Sequence, residues 1–303
     1  MTAEKLLRLH SGTDAMATLA TLWQGPADPQ MRVSGGSVAR AMRLPGGAAT
    51  LEIGAAAEGP RATILARAWG VAADQALALV PALVGELDDP APLIARHSLV
   101  AELVRRFAGA RMTSGSPVME VLVPAILAQK VTSIEARNAH CSLLRRFGEP
   151  APGPLGLVLP PPPQRLASLP YWAFHPLGIE RRRADAIRAV AAVAPRLEEI
   201  RGLAPAAARA RLTAMPGIGQ WTAAETMRLA LGDPDAVSVG DYNLPGLVCW
   251  ALTGERGGDD ERMLELLEPY RGQRARVVML IERSGMRPAR RAPRLRLRSI
   301  TTI

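Results

Sequence analysis

The chain has 303 residues, 48% of them hydrophobic, a formal charge of +9 and two cysteines. This is enough apolar material for a full core and enough length for two domains, and no run of about 20 uncharged apolar residues is available to span a membrane. Cys141 and Cys249 read as buried thiols of a reducing compartment, too few for a four-thiolate iron–sulfur cluster, and with Glu4, Arg8, His10 and Asp14 near the start no signal peptide is expected, so a cytoplasmic location is.

Residues 1 to 90 read as a small lobe of antiparallel strands and one helix. Ser37 to Leu44, Ala49 to Ile53 and Arg61 to Trp69 are short runs divided by Gly-Gly and Glu58-Gly-Pro60, the punctuation of strands and turns. Ala72 to Leu87 has apolar residues at helical spacing, with Pro81 as a kink. Asp88-Asp89-Pro90 and Pro92 mark a boundary.

Residues 91 to 286 read as a helical domain. Helices are predicted at Leu93 to Phe107, Pro117 to Lys130, Ile134 to Phe147 with Ser133 as N-cap, and Arg181 to Ala194. Residues 150 to 163 hold seven prolines and predict a polyproline-rich crossover between two helical halves. Further helices are predicted at Leu244 to Leu252, Asp259 to Leu267 and Gly272 to Arg283. The last stretch, 287 to 303, is an Arg-rich tail with six arginines up to Arg298 and no acid; with those charges set aside from +9, the first 286 residues carry +3. Such a basic surface favours nucleic acid through counterion release, and a solvated, frayed terminus would read the same way. The fold class expected is mainly α with a small N-terminal α+β lobe.

The most informative stretch is Met215-Pro216-Gly217-Ile218-Gly219-Gln220-Trp221-Thr222-Ala223. Pro205 to Ala214 predicts one helix, opened by a proline at its first position, and Gln220 to Leu231 predicts the next. Gly217 and Gly219 bracket a single apolar Ile218, a pattern in which positive backbone dihedrals are cheap. Such a turn aims backbone N–H groups and a helix N-terminus outward, toward a phosphate oxygen, and contacts of this kind position a protein on DNA without reading its sequence. A loop from Gly232 to Gly240 then leads to Asp241. Asp241 has two readings: a cap on the helix that begins near Asn243, or a carboxylate that stabilises an oxocarbenium-like sugar and orients water while a glycosidic bond breaks.

These residues resemble the helix-hairpin-helix DNA glycosylases, in which a Gly/Pro-rich loop ending in one catalytic aspartate follows the hairpin. The likeness narrows to the alkylpurine (3-methyladenine type II) glycosylases through three more segments in family order. They are Ala125-Ile-Leu-Ala-Gln129-Lys130-Val131; Pro162 to Ala167 with Leu177-Gly178-Ile179 and Arg183-Ala184; and Glu268-Pro269-Tyr270-Arg271. Together they span roughly residues 93 to 286.

The resemblance implies a bilobed helical fold, damaged double-stranded DNA as partner, a monomer, and an enzyme that flips an alkylated purine and hydrolyses its bond to the sugar. It makes Asp241 the catalytic residue and Pro216, Gly217, Ile218, Gly219 and Thr222 the DNA-binding hairpin. A flipped base needs an aromatic face, for which Trp221, Tyr242 and Trp250 are the candidates, with core packing as the alternative for each. Gln129 and Lys130 stand at the helix end that fills the gap left by the base; a lysine departs from the usual apolar wedge, and an exposed helix-end lysine is the plain alternative. In relatives that also nick the strand, a lysine precedes the Thr-Ala matched by Thr222-Ala223. Here Trp221 stands there, which implies base removal without strand cleavage.

No cofactor is implied, although a monovalent cation held by hairpin carbonyls is compatible with the family. His10, His97, His140 and His175 show no metal-ligand spacing. Family members often place an aromatic-rich segment near the chain start; here Trp23 is the first aromatic, and Tyr171-Trp172-Ala-Phe174-His175 could compensate or be a packed loop. Two rivals stand beside this reading: a glycosylase of the same fold for another lesion (uracil, mispaired adenine, a bulky adduct), and a lesion-binding protein without turnover.

Overall fold

The structure is a computed structural model that describes residues 2–10, 12–56 and 63–287. The Arg-rich tail therefore lies outside the described residues apart from Arg287, as do Arg61 and Ala62 of the third predicted strand.

The N-terminal lobe is one antiparallel sheet of five strands: β1 (Thr2–Arg8), β2 (Met31–Ser34), β3 (Ser37–Leu44), β4 (Gly47–Ala55) and β5 (Thr63–Trp69), in the order β1-β5-β4-β3-β2. Strands β3, β4 and β5 fall where the sequence predicts them. The sequence reading missed β1 and β2. Strand β1 is an edge with mostly exposed residues and no apolar alternation, and only its pairing with β5, from Thr2 opposite Trp69 to Arg8 opposite Thr63, makes it a strand.

Strand β3 is buried on both faces. Val38 and Met42 point into the main core, while Ala39 and Ala41 meet Leu157 and Leu159. Those leucines belong to a two-stranded hairpin of β6 (Glu149–Pro150) and β7 (Val158–Leu159). Residues 150 to 163 thus double back on the sheet instead of running as an extended crossover, because two apolar side chains can be buried only that way.

The helices are α1 (Ala15–Leu19), α2 (Ala73–Leu83), α3 (Ser98–Arg106), α4 (Val118–Leu127), α5 (Ser133–Phe147), α6 (Pro163–Ser168) and α7 (Tyr171–Phe174). They continue with α8 (Arg181–Ala192), α9 (Ala194–Glu198), α10 (Pro205–Thr213), α11 (Gln220–Thr226), α12 (Leu244–Thr253), α13 (Asp260–Leu267) and α14 (Arg274–Arg283). Helix α3 starts five residues later than predicted, capped by His97, whose ring accepts the Leu99 N–H. The N-cap of α5 is Thr132 and not Ser133: Thr132 accepts the Glu135 N–H, and Glu135 accepts the Thr132 N–H in return. The Tyr171 to His175 cluster is a short helical turn in which Phe174 is buried and Trp172 is 74% exposed.

Among the described residues two large apolar cores result, beside the small patch of Ala39, Ala41, Leu157 and Leu159. The first joins the sheet to α2, α4, α5, α8, α10 and α11; the second is built by α3, α12, α13 and α14. Beside the first core, Glu120 of α4 reaches β3 and pairs with Arg40 at 3.0 Å, with Gln30 at 2.8 Å and with the Arg43 N–H at 2.7 Å. The loop 232–243 is one of the stretches where the chain passes between the cores: its Ala236 packs in the first and its Val237 in the second, so the loop lies between them.

Candidate active site

The hairpin forms as two helices, α10 and α11, with a five-residue turn between Ala214 and Gln220. Gly217 takes a φ of +80°, and a Cβ there would come within 2.8 Å of the Ala186 methyl on α8. Both facts require glycine. Gly219 differs from expectation: its backbone is extended (φ −91°, ψ −179°) and a Cβ would meet nothing within 4 Å. No dihedral requirement holds there; Gly219 is instead an N-cap without a side chain, so the first-turn N–H groups of α11 face outward uncapped. Ile218 is buried and anchors the turn, while Pro216, Gly217 and Gly219 are exposed.

Helix α4 ends against this turn. The Gln129 amide donates to the Gly217 carbonyl at 2.9 Å and to the buried Thr222 hydroxyl at 2.8 Å, so Gln129 braces the hairpin from the side. Lys130, next in the chain, is exposed and has φ +55°, the one positive value among the described residues other than glycine. A side chain held there costs about 1–2 kcal/mol, and surrounding structure must enforce it. The enforcing contacts are visible. Buried Arg183 of α8 donates to the Leu127 carbonyl at 2.8 Å and to the Gly178 carbonyl at 3.1 Å, closing the end of α4. On the other side the Thr132–Glu135 cap fixes the start of α5. This gives a structural reason for the Leu177-Gly178 and Arg183 match, which the sequence pattern alone left unexplained.

After α11 the helix widens into a π turn over Met227–Leu231 and stops at Gly232, which has φ +70° and where a Cβ would sit tightly, 3.0 Å from the Ser114 Cβ and 3.1 Å from the Thr113 carbonyl. The predicted single helix from Gln220 to Leu231 is thus α followed by π. The loop beyond is pinned repeatedly. Asp235 accepts from Arg274 at 2.8 and 2.5 Å and from the Gly272 N–H at 2.8 Å. Burial would raise the Asp235 carboxyl, but the hydrogen bonds and charge of Arg274 outweigh it and hold the carboxyl below its ordinary value. Ser238 donates to Glu225 at 2.5 Å, and the Gly240 N–H is shared by both oxygens of Asp260.

Asp241 ends the loop, partly exposed. Its Oδ1 accepts the N–H groups of Asn243 at 2.8 Å and Leu244 at 2.9 Å, and its Oδ2 accepts the Trp221 indole N–H at 3.0 Å. One oxygen thus caps α12, as the first of the two readings expects, and the other stands beside the first turn of α11. Three donors fix the carboxylate in one orientation. Trp221 is partly exposed and turns its N–H to Asp241; Tyr242 is 87% exposed, and Trp250 is partly exposed on α12.

A cavity of about 730 Å³ lies elsewhere, between β3, α4, α5 and Pro160 to Pro163. Its acid Glu120 is raised by burial and already paired to Arg40, and Glu198 accepts the Val118 N–H and faces Arg201, so the charged walls serve the fold. Asp241, by contrast, is partly exposed and held in one orientation without a cationic partner in its hydrogen bonds.

No family model and no curated protein matches the sequence. Solved structures do match. The chain superposes on 3-methyladenine DNA glycosylase from Archaeoglobus fulgidus with a TM-score of 0.73 and 21% identity, over 91% of this chain and 96% of that one. It superposes on the apo 8-oxoguanine glycosylase/lyase of Clostridium acetobutylicum at 0.69 and 12% identity, over 93% and 98%. The 3-methyladenine DNA glycosylase of Schizosaccharomyces pombe, solved with abasic DNA, matches at 0.52 and 19% identity, over 65% and 96%. The fold is that of the helix-hairpin-helix DNA glycosylases, mainly α with a small N-terminal sheet.

Proposed function

We propose that this protein is a DNA glycosylase that flips an alkylated purine, of the 3-methyladenine kind, out of duplex DNA and hydrolyses its bond to the sugar without cutting the strand. The observation that carries the reading is Asp241: a carboxylate oriented by three hydrogen bonds, next to an exposed hairpin, on the loop between two cores. The fold shared with glycosylases for alkylated and oxidised bases supports it.

The residues divide the work as follows. Pro216 to Gly219 and the first turn of α11 take phosphate oxygens on their N–H groups, which fixes the duplex against the protein. Lys130, held outward by its backbone, enters the gap left by the flipped base, and Gln129 keeps the hairpin in register with it. Trp221 and Trp250 wall the base, with Tyr242 free to close over it. As the glycosidic bond breaks, the base leaves with the electron pair, and an alkylated purine becomes neutral in doing so, so a dedicated acid is unnecessary. Asp241 stabilises the positive charge growing on the sugar and orients water; the new bond joins that water's oxygen to the sugar carbon, and its proton passes to Asp241 and on to solvent.

A lyase reaction requires an amine as nucleophile. The two lysines of the chain lie on β1 and in the turn after α4, and the position facing Asp241 is held by Trp221. A monovalent cation at the hairpin would share the Met215 and Gly217 carbonyls, each of which keeps a lone pair after accepting from Ile218 and Gln129.

The test is a panel of duplexes carrying 3-methyladenine, 7-methylguanine, 8-oxoguanine, uracil or an A·G mispair, assayed under single-turnover conditions before and after alkali. Release of the methylated purines with an intact strand until alkali is the expected result. Release of another base moves the lesion assignment, and tight binding without release from any duplex overturns the catalytic one. A strand nicked before alkali, with a complex trapped by borohydride, overturns the assignment of hydrolysis alone.

A further inference from the structure

Two residues four apart on α11, Trp221 and Glu225, lie on one face of the helix and both reach the loop. Trp221 holds the Asp241 carboxylate, and Glu225 holds Ser238, three residues before it. Ser238 is 5% exposed; its hydroxyl donates to Glu225 Oε1 at 2.5 Å, and its carbonyl accepts the Asp241 N–H at 3.3 Å. The other oxygen of Glu225 accepts Arg228 Nη2 at 2.8 Å. We propose that Glu225, held by Arg228, is a positioning residue that sets the place of the Asp241 carboxylate through Ser238. The inference rests on the catalytic reading of Asp241.

The pair is hard to explain by stability alone. Glu225 and Arg228 are both largely buried, with side-chain exposures of 20% and 18%. Burying two charges is costly, and an apolar pair of similar volume commonly serves a fold as well or better. An apolar pair could not accept the Ser238 hydroxyl. Burial would raise the Glu225 carboxyl, but the charge and hydrogen bond of Arg228, with the Ser238 hydroxyl, outweigh it and keep it lowered. Glu225 is thus held as a charged acceptor. Arg228 also faces Glu282, whose carboxyl is raised by burial and by the charges of Glu225 and Asp241 against the opposing charges of Arg228 and Arg287, so Arg228 is a cation shared between two acids behind the site.

The test compares Ser238→Ala, Glu225→Ala, Glu225→Gln and the double alanine variant with the unaltered protein. Single-turnover base release is read at saturating enzyme, together with affinity for duplexes carrying a cationic pyrrolidine or a neutral tetrahydrofuran in place of the lesion nucleoside. A displaced carboxylate should slow release by roughly 10- to 100-fold in Ser238→Ala and Glu225→Ala, with tetrahydrofuran-duplex affinity changed only a few fold. The double variant should be no slower than the slower single, because both changes break one link. Glu225→Gln should recover much of the rate, since its amide oxygen still accepts the hydroxyl. Preference for pyrrolidine over tetrahydrofuran should fall in step with the rate. Unchanged rates with a lowered melting temperature, multiplicative losses in the double variant, or an unchanged pyrrolidine preference would each overturn the proposal. An unaltered protein that releases no base yet prefers pyrrolidine would sink the glycosylase reading alone, and the preference would still decide the role of Glu225.

Discussion

Asp241 and Trp221 form the smallest unit of this site, and the hydrogen bond between them separates two roles for the tryptophan. Trp221→Phe keeps an aromatic face and removes the N–H, so a base-stacking role predicts little change in rate, while an orienting role predicts a fall of about 10-fold in single-turnover release with DNA affinity kept. We expect the fall. Asp241→Asn is harsher. One amide atom must face either the Trp221 N–H or the N–H pair of Asn243 and Leu244, and whichever faces the amide nitrogen becomes a donor without an acceptor. Base release should drop by at least 10²-fold from lost electrostatic stabilisation, with abasic-duplex binding changed only a few fold; near-normal release would leave Asp241 a helix cap.

At the scale of elements, the turn after α4 stores backbone strain that its neighbours enforce. Lys130→Gly should stabilise the fold by up to about 1 kcal/mol in urea denaturation, because glycine adopts the positive φ freely. The same variant should excise more slowly from a paired duplex than from a mismatched one, since a mismatch already lowers the cost of unpairing. Equal losses on both duplexes would remove Lys130 from the gap. The loop 232–243 offers a pH test. Because the Asp235 carboxyl is held below its ordinary value of 3.8, its contribution to stability is present above that value and is lost as pH falls through the lowered folded one. Melting temperatures of the unaltered protein and Asp235→Asn, measured from neutral pH to below pH 3, should therefore converge on the acid side. Parallel curves would mean that the Arg274 pairing adds nothing pH-dependent.

Across the whole molecule, buried charge joins parts that hydrophobic packing alone would leave free to slide. Glu120 ties α4 to β3, and Arg276 of α14 grips Asp88 with two hydrogen bonds, bringing the second core against the stretch that follows the sheet lobe. Removing one member of such a pair strands the other. Glu120→Ala should cost about 3–5 kcal/mol in urea unfolding, whereas a surface pair such as Arg67 with Glu4 should cost under about 1 kcal/mol when broken. Comparable small losses for both would show that the Arg40 guanidinium finds water when its partner is gone.

The sequence by itself determined the hairpin, the aspartate at the end of the loop, the central strands and the helices with strong apolar periodicity. Those features depend on contacts within a few residues or on a local backbone requirement, as at Gly217, so their signature is written in adjacent positions. It did not determine β1, whose strand state comes from β5 about 60 residues away, nor the fold-back of the proline run onto Ala39 and Ala41. It placed the cap of α5 one residue late and read a dihedral demand into Gly219 that the backbone does not make. Only the tertiary structure decided that Gln129 braces the hairpin, that Arg183 closes α4, and that the Asp241 oxygen not used as a cap meets the Trp221 indole. The reason is geometric: these hydrogen bonds join residues 20 to 93 positions apart, and a side chain's partner at that separation is set by how helices pack, which no local pattern of residues encodes.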